Sequence, residues 1–486
     1  MLHTRSKSVT AVDFAVMAVY FAVIVAIGGY FARRQAGTSD YFLGGHSLPW
    51  WAVMLSIVAT ETSALTVISI PGVGARGDLT FLQLPLGYLI GRMGVALWLL
   101  PGYFRGEQQT AYERLQTRFG LTTRKTASAV FMSIRALGDS VRVFATAIPL
   151  AIVTGWSIPV SVLVVVGATL AYTWAGGIKA VVWVDVIQMA VYSIAGVATI
   201  LVAANMAGGI ETVLQSAAPE GKLRAINLTW SFSATYTLAG GVLGGALLSA
   251  ASHGTDHLIV QRLLATRSLG DARKALVGSG ILVIVQFAVF LLVGTFLWAA
   301  GADDGAITSD QIFPTFVVQH LPVGLTGLVV AGLLAAAMST VSSSLNALAS
   351  AATHDFYAPI AGSKDPKHLL KVGRWATVLW AAVLATGALS FRSTDQPVVV
   401  LALSIASITY GALLGTYILG GLVRGARQLH AIVAIAVATV TMLVVVFAKP
   451  LAFADLAWPW YVPLGTAITL AVGAGMSRLT PQVVQA

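Results

Sequence analysis

The sequence contains no cysteine and few charged residues. Only 10% of its 486 residues are Asp, Glu, Lys or Arg, whereas soluble domains carry about 25%. The absence of cysteine excludes disulfides and thiolate metal sites. The low charge, the 57% of hydrophobic residues and a mean hydropathy of +0.83 exclude an ordinary soluble protein. The sequence therefore predicts a polytopic membrane protein that works in or beside the lipid bilayer.

Apolar runs of membrane-spanning length recur along the whole chain. A transmembrane helix needs about 20 such residues, and the alternating strands of a membrane barrel are not seen in the sequence. We predict an all-α polytopic membrane protein with 13 transmembrane helices. They lie near residues 11–31, 48–74, 80–104, 126–153, 157–174, 180–206, 235–256, 274–300, 314–353, 373–391, 397–421, 428–447 and 459–477.

The distribution of Lys and Arg predicts the orientation of the chain. Thirteen spans place the two termini on opposite sides, and most of the 29 basic residues, Arg262 among them, fall on the side of the C-terminus. The positive-inside rule then places the N-terminus outside and the C-terminus in the cytoplasm of a cell membrane protein. This bias accounts for the net charge of +10 without a nucleic-acid partner. Since no loop is long enough for a soluble domain, residues 1–486 are expected to form one transporter domain.

Two predicted spans contain the interruptions that mark binding sites in transporters. The first is the polar stretch 56–66, and the second is the glycine-rich stretch 238–246, which continues to 252–256. Each opens a set of five spans, and an odd number of spans forces the second set to run inverted. We therefore predict two inverted repeats, 48–206 and 235–421, with peripheral helices at 11–31 and 428–477. The alternative for the second stretch is that its glycines only permit close helix packing.

A cluster of hydroxyl groups lies within an apolar helix. At 100° per residue, Ser339, Ser342 and Ser343 share one helix face and Thr340 lies on its edge. Convergent neutral oxygens suit a partly dehydrated Na+. The alternative is that these hydroxyls bond to carbonyls one turn earlier and ease helix packing.

Ionisable residues at membrane depth are rare and point to function. Six charged residues of the predicted spans are expected at membrane depth: Glu61, Arg92, Arg135, Asp139, Arg142 and Asp185. Arg135, Asp139 and Arg142 follow one another at i, i+4 and i+7, so one carboxylate can neutralise one guanidinium. Either this cluster is an internal ion pair, or the remaining arginine binds an anionic group of a substrate in a bidentate manner.

Four stretches carry a resemblance to a known family: residues 40–45, 110–120, 172–188 and 255–262. With the hydroxyl cluster, they make the chain resemble the sodium:solute symporter family over roughly residues 10–430. The resemblance implies a core of two inverted five-helix repeats, similar to the leucine-transporter fold, with one helix before it and two after it. It also implies a monomer that imports a small organic solute with Na+ by alternating access.

The resemblance further implies two sodium sites. The first would be formed by two carbonyls of the interrupted helix and by a carbonyl and two hydroxyls of the later one: Ala59, Thr62, Ala336, Ser339 and Thr340. The second would combine a carboxylate with serines: Asp185, Ser339, Ser342 and Ser343. The sequence suggests no cationic partner for Asp185, and a sodium ion beside it would remove the cost of burying its charge.

The solute stays open between a sugar or sugar acid and a monocarboxylate. Thr66, Pro85 and Ser252 depart from the residues that the sugar-carrying members of the family have at these positions. Glu61 is expected to attract Na+, to fix the unwound segment or to bind a substrate amine. By position, eight residues are predicted to bind the substrate: Glu61, Ser63, Thr66, Phe81, Gln83, Arg135, Arg142 and Ser249.

Other functions are less well supported by the sequence. A proton-coupled transporter of the same fold would use Glu61 or Asp185 as its proton carrier. A membrane-embedded solute sensor is the alternative from another class, although no signalling segment follows residue 478. A passive channel is disfavoured because interrupted helices are typical of alternating access. An enzyme is disfavoured because the sequence offers no nucleophile with a base, no metal-ligand cluster and no phosphate loop.

Overall fold

The computed structural model describes residues 10–32, 37–62, 64–106, 108–303, 305–391 and 398–479. All regular structure in these residues is helical, apart from an isolated bridge between Leu48 and Thr266. Ten helices lie in the first half of the chain: α1 (Ala11–Ala32), α2 (Thr38–Leu43), α3 (Trp50–Glu61), α4 (Ala64–Arg76), α5 (Gln83–Gly94), α6 (Leu100–Tyr103), α7 (Glu113–Phe119), α8 (Leu121–Thr154), α9 (Ile158–Met206) and α10 (Ile210–Ala217).

The second half of the chain contains ten more helices. They are α11 (Gly245–Gly254), α12 (His257–Leu264), α13 (Leu269–Ala299), α14 (Ser309–His320), α15 (Leu325–Ala351), α16 (Ala358–Ala361), α17 (Pro366–Ser390), α18 (Val398–Leu422), α19 (Gln428–Leu443) and α20 (Tyr461–Leu479). Short π-helical segments continue four of the spans, at Val95–Leu99, Gly240–Gly244, Ala352–Tyr357 and Val444–Ala448.

The described helices are those of a multi-pass membrane protein. Nine of them, counting directly joined segments together, are long and apolar enough to cross a membrane, and the bent pair α3–α4 raises this number to ten. A straight helix of the 49 residues of α9 would measure about 74 Å at 1.5 Å per residue, far more than the ~30 Å of a hydrocarbon core, but α9 is bent at Gly177. Two of the sequence-predicted spans, 157–174 and 180–206, are thus joined in one helix.

Gly177 makes the bend that joins the two halves of α9. Its φ of +57° lies in the region that only glycine adopts at no cost, and a Cβ there would come within 2.5 Å of the Tyr41 carbonyl oxygen. The bend brings the second half of α9, which carries Asp185, against α3 and α15.

The first predicted interruption is present in the structure. Thr62 leaves helical geometry with φ −79° and ψ 73°, and the axes on either side of the break differ by 62°. The next residue, Ser63, lies outside the described residues. The last carbonyls of α3 have no partner within their own helix, so this break supplies free acceptors in the middle of the molecule.

The glycine-rich stretch of the second predicted interruption is not a break. Residues 240–244 form a π-helical turn that runs directly into α11, and the chain is interrupted only at Thr255 and Asp256, before α12. The glycines pack against α5, where a Cβ on Gly87 would lie 2.5 Å from the Gly241 carbonyl and one on Gly91 2.1 Å from that of Ala246. The close-packing alternative is therefore correct for these glycines.

Helix α15 lies at the centre of the fold. It packs against α9, α8, α3 and α1, and almost every residue from Thr326 to Ala351 is buried. A helix that is apolar all round is expected in such a position. Any hydroxyl group on α15 therefore has to find its partners inside the protein.

Candidate functional site

Oxygen atoms of α3 and α15 converge beside the break in α3. The Thr340 hydroxyl oxygen lies 3.5 Å from the Thr60 carbonyl oxygen and 3.4 Å from the Ala336 carbonyl oxygen. Ca²⁺, an ion of similar radius to Na+, binds oxygens at distances that include about 2.4 Å. Two oxygens that are each about 2.4 Å from a cation and at right angles around it lie about 3.4 Å apart. The spacing of these neutral oxygens fits a sodium ion.

The other residues of the first predicted sodium site lie close to these oxygens. Ala59 and Thr62 are fully buried at the end of α3. Thr62 donates its backbone N–H to Val58 and its hydroxyl to the Gln286 side chain at 2.7 Å, so its carbonyl oxygen is the group that stays available to an ion. Their role as sodium ligands stays a prediction.

The Ser339 hydroxyl points to a different group. It donates to Asp185 Oδ1 at 2.6 Å, while Asp185 Oδ2 accepts a hydrogen bond of 2.5 Å from Ser56. Ser342 and Ser343 donate to the Ser339 carbonyl at 3.0 and 2.6 Å. Of these serines Ser339 bonds to Asp185 directly, while Ser342 and Ser343 form the bonds to the preceding turn that the alternative interpretation expects.

The expectation that Asp185 lacks a cationic partner in the protein is wrong. Arg262, on α12, is fully buried and places Nη2 3.3 Å from Asp185 Oδ2. The charge distribution had assigned this arginine to a cytoplasmic loop. Its only sequence signal is the apolar residues around it, such as Ile259 and Leu263, which are typical of a buried short helix.

A cavity lies beside the α3–α4 break. It is bounded by α4, α8, α11, α12 and α18. Its volume, counted as the space that the centre of a water molecule can occupy, is about 110 Å³. Because a single bound water needs about 10–15 Å³ on this measure, the cavity has room for a small organic solute. Five of the predicted substrate-binding residues line it: Glu61, Thr66, Phe81, Arg135 and Arg142.

Three other predicted substrate-binding residues are placed differently. Ser63 lies outside the described residues. Gln83 is buried and its amide binds the segment before α11, donating to the Thr80 and Tyr236 carbonyls and accepting from the Asn227 N–H. Ser249 is buried behind the cavity, with its hydroxyl oxygen 3.4 Å from Arg92 Nε.

Glu61 forms an ion pair with Arg92 that the sequence did not predict. Arg92 is fully buried and also donates to the Ser279 hydroxyl at 2.7 Å. His253 places Nε2 3.7 Å from Oε2, the Glu61 oxygen that Arg92 also contacts. Of the three roles expected for Glu61, this contact favours fixing the unwound segment, because it connects the end of α3 to α5.

The arginines of α8 face the cavity with their carboxylate partners. Asp139 contacts both Arg135 and Arg142, as the helical spacing predicted. Arg135 has a second partner that sequence reasoning missed, Asp256, which also accepts a hydrogen bond of 2.7 Å from Tyr410. Both arginines are therefore paired, and among the described residues the one ion pair of Arg142 is with Asp139.

Known proteins share this arrangement of helices. The profile of a family described as the sodium:solute symporter family matches residues 41–437. A sodium/sialic acid symporter of Aliivibrio fischeri is 29% identical over 480 residues, covering 96% of this chain and 93% of that protein. Sodium-coupled monocarboxylate transporter 2 of Mus musculus is 28% identical, covering 86% and 69% of the two chains.

A solved structure extends the similarity to three dimensions. It is that of a Na+-coupled sialic acid symporter in a substrate-bound, outward-open state, at 26% sequence identity. The two folds agree with a TM-score of 0.88 over 97% of this chain and 98% of the other. The similarity thus includes the helices that surround both the cavity and the oxygen cluster.

Proposed function

Because the chain belongs to the sodium:solute symporter family and is a sodium-coupled symporter, we propose that its solute is a small organic carboxylate that binds beside Arg142. The resemblance noted in the sequence is thereby confirmed. Na+ is the coupling ion, and the family consists of transporters.

The contacts of Arg142 carry this proposal. Its side chain is 17% exposed and lines the cavity, and among the described residues its one hydrogen bond is from Nη1 to Asp139. Asp139 is shared with Arg135 and accepts from Ser344 as well. The remaining guanidinium N–H groups of Arg142 are thus available to a second carboxylate, which a planar guanidinium binds in a bidentate manner.

The charges around the cavity favour an anion that enters together with Na+. Arg135 pairs with Asp256, Arg142 pairs with Asp139 and Glu61 pairs with Arg92. The lining of the cavity, counted with these partners, is therefore formally neutral. A carboxylate alone would add an uncompensated negative charge, and Na+ alone a positive one. Bound together they cancel, and the cost of placing a lone charge in a largely apolar site is avoided.

The walls of the cavity favour a solute with an apolar part. Phe81, Phe287 and Leu403 line the cavity together with the arginines. The relatives described above are named for sialic acid and for monocarboxylates, two solutes that share a carboxylate. A sugar acid or a monocarboxylate fits these features better than a neutral sugar.

We propose that Na+ couples to the solute by joining α3 to α15. Its ligands are the five residues of the first predicted site: Ala59, Thr62, Ala336, Ser339 and Thr340. Binding favours the state that is open to the outside and completes the solute site beside the break. The inward Na+ gradient supplies the energy for accumulation, and the membrane potential adds about 2.3 kcal/mol per 100 mV only for each net charge that is moved.

The proposed topology has 13 spans in a monomer, with the N-terminus outside. Two inverted repeats, 48–206 and 235–421, form the core. The breaks after α3 and after α11 support this, because they lie at corresponding positions near the start of each repeat. The bent α9 supplies two of the spans.

Arg142→Gln is expected to raise the KM for the transported carboxylate about tenfold to a hundredfold, since a hydrogen bond to a charged group contributes about 1.5–3 kcal/mol. Arg142→Lys should retain part of the affinity because the charge remains. The measurement is Na+-driven uptake into proteoliposomes, with solutes offered as the carboxylate and as the corresponding amide.

Arg105→Gln is the matched control, because Arg105 is an exposed arginine in the turn after α6. It should leave uptake unchanged. Equal uptake of carboxylate and amide by the native protein, or an unchanged KM in Arg142→Gln, would contradict the proposal.

A further inference from the structure

The guanidinium of Arg262 lies among oxygen atoms of the second predicted sodium site. Nη2 donates to the Ser343 hydroxyl and lies 3.3 Å from Asp185 Oδ2, while Nε donates to the Ser56 hydroxyl at 2.9 Å. The third nitrogen, Nη1, donates to the Leu258 carbonyl at 2.9 Å. All of these side chains except that of Leu258, which is 2% exposed, have no exposed surface.

We propose that Arg262 is the permanent cation of the Asp185 cluster, that no sodium ion binds there, and that each transport cycle therefore moves one sodium ion. The inference rests on the proposed function, in which Na+ binds between α3 and α15. It concerns the cluster of carboxylate and serine oxygens for which the sequence predicted a second sodium ion.

A sodium ion and Arg262 cannot both be stable at this position. The cluster contains one carboxylate, and its charge is compensated by the guanidinium. An added sodium ion would lie against a like charge in a site without exposed surface, where no water lowers the repulsion. The Ser343 oxygen, which a sodium ion would need as a ligand, already accepts a hydrogen bond from Arg262.

The position of Arg262 is fixed by the helix that carries it. Asp256 begins α12 by accepting a hydrogen bond of 2.9 Å from the Leu258 N–H. Its other oxygen binds Arg135 and Tyr410, and this holds the start of the helix against α8 and α18. Because α12 is anchored at its first residue and Arg262 bonds to its own helix, the guanidinium is held in place and does not swing freely.

The inference predicts how uptake responds to voltage. One sodium ion that moves with one monovalent carboxylate carries no net charge, so uptake should be independent of the membrane potential. Two sodium ions per carboxylate would carry one positive charge inward, and uptake would then rise with an inside-negative potential.

Equilibrium binding of radiolabelled Na+ to the purified protein in micelles tests the inference without knowledge of the solute. We expect saturation at one Na+ per chain for the native protein. Arg262→Gln should bind a second, because it leaves the Asp185 carboxylate without its cation. The double variant Asp185→Asn/Arg262→Gln removes both charges of the buried pair, so that neither is left unpaired, and should again bind one.

The outcomes separate this inference from the proposed function. Two Na+ per native chain, or the loss of one in the double variant, would overturn the inference while leaving sodium coupling intact. Binding of one Na+ by a folded Arg262→Gln variant would also overturn it. Binding of no Na+ by the native protein would overturn the proposed sodium site itself, and the inference with it.

Discussion

Replacing Thr340 with valine is expected to raise the Na+ concentration for half-maximal uptake about tenfold to a hundredfold. Valine has nearly the same shape but lacks the hydroxyl oxygen that lies between the Thr60 and Ala336 carbonyls. Losing an interaction of this kind with a charged partner costs about 1.5–3 kcal/mol, and every 1.4 kcal/mol changes an equilibrium about tenfold. The measurement is initial uptake as a function of Na+ concentration in proteoliposomes.

Two further variants separate loss of the ligand from damage to the helix. Thr340→Ser keeps the oxygen and should stay close to the native Na+ requirement. Thr326→Val makes the same chemical change at the N-terminal end of α15, where, among the described residues, the hydroxyl bonds to the Leu321 and Pro322 carbonyls. It should leave the Na+ requirement unchanged, and an equal effect at the two threonines would show that Thr340 is not a sodium ligand.

Arg92→Gln is expected to abolish uptake and to destabilise the protein by about 3–5 kcal/mol, the usual cost of removing one partner of a buried ion pair. The substitution leaves Glu61 beside His253 and without the guanidinium that connects it to α5. The end of α3 then loses its fixed position next to the break. Thermal unfolding in detergent, followed with and without Na+, measures the effect.

The double variant Glu61→Gln/Arg92→Gln tests whether the charge or the pairing matters. With both charges removed, no buried charge is left unpaired, and most of the lost stability should return. If Glu61 had its other expected role of attracting Na+, the double variant would regain stability but show a much higher Na+ requirement. A native Na+ requirement in the double variant supports a structural role for the pair.

Helical periodicity predicted which face of α15 carries the hydroxyl cluster, because periodicity is a local property of the sequence. The spacing of Ser339, Thr340 and Ser343 is fixed by the α-helix, and the structure turns these hydroxyls towards α3 and Asp185. The break after Glu61 was recognised for the same reason, since polar residues interrupt an apolar run. The Asp139 contacts on α8 likewise follow from residues three and four positions apart.

Contacts between distant parts of the chain could not be predicted in this way. Arg262 and Asp185 are 77 residues apart, and Arg135 and Asp256 are 121 apart. The positive-inside rule assumes that any arginine beyond the end of a long apolar run lies in a solvated loop. In this protein a short, buried α12 follows that run, so the rule assigns Arg262 to the wrong environment.

The glycines of residues 240–245 show a second limit of sequence reasoning. A glycine-rich stretch is equally compatible with an unwound helix and with a tightly packed one. In this protein the stretch is tightly packed because Gly87 and Gly91 allow the opposite helix, α5, to approach the backbone of this segment. Only the structure brings the two glycine faces together.

The central claim is that the inward sodium gradient drives uptake of a small organic carboxylate through ions bound between α3 and α15. The most direct measurement is uptake of a labelled carboxylate into proteoliposomes at clamped zero potential, with external Na+ or with K+ in its place. We expect accumulation above equilibrium with an inward Na+ gradient and none with K+. Undiminished accumulation with K+ would contradict the account and point to proton coupling through Glu61 or Asp185.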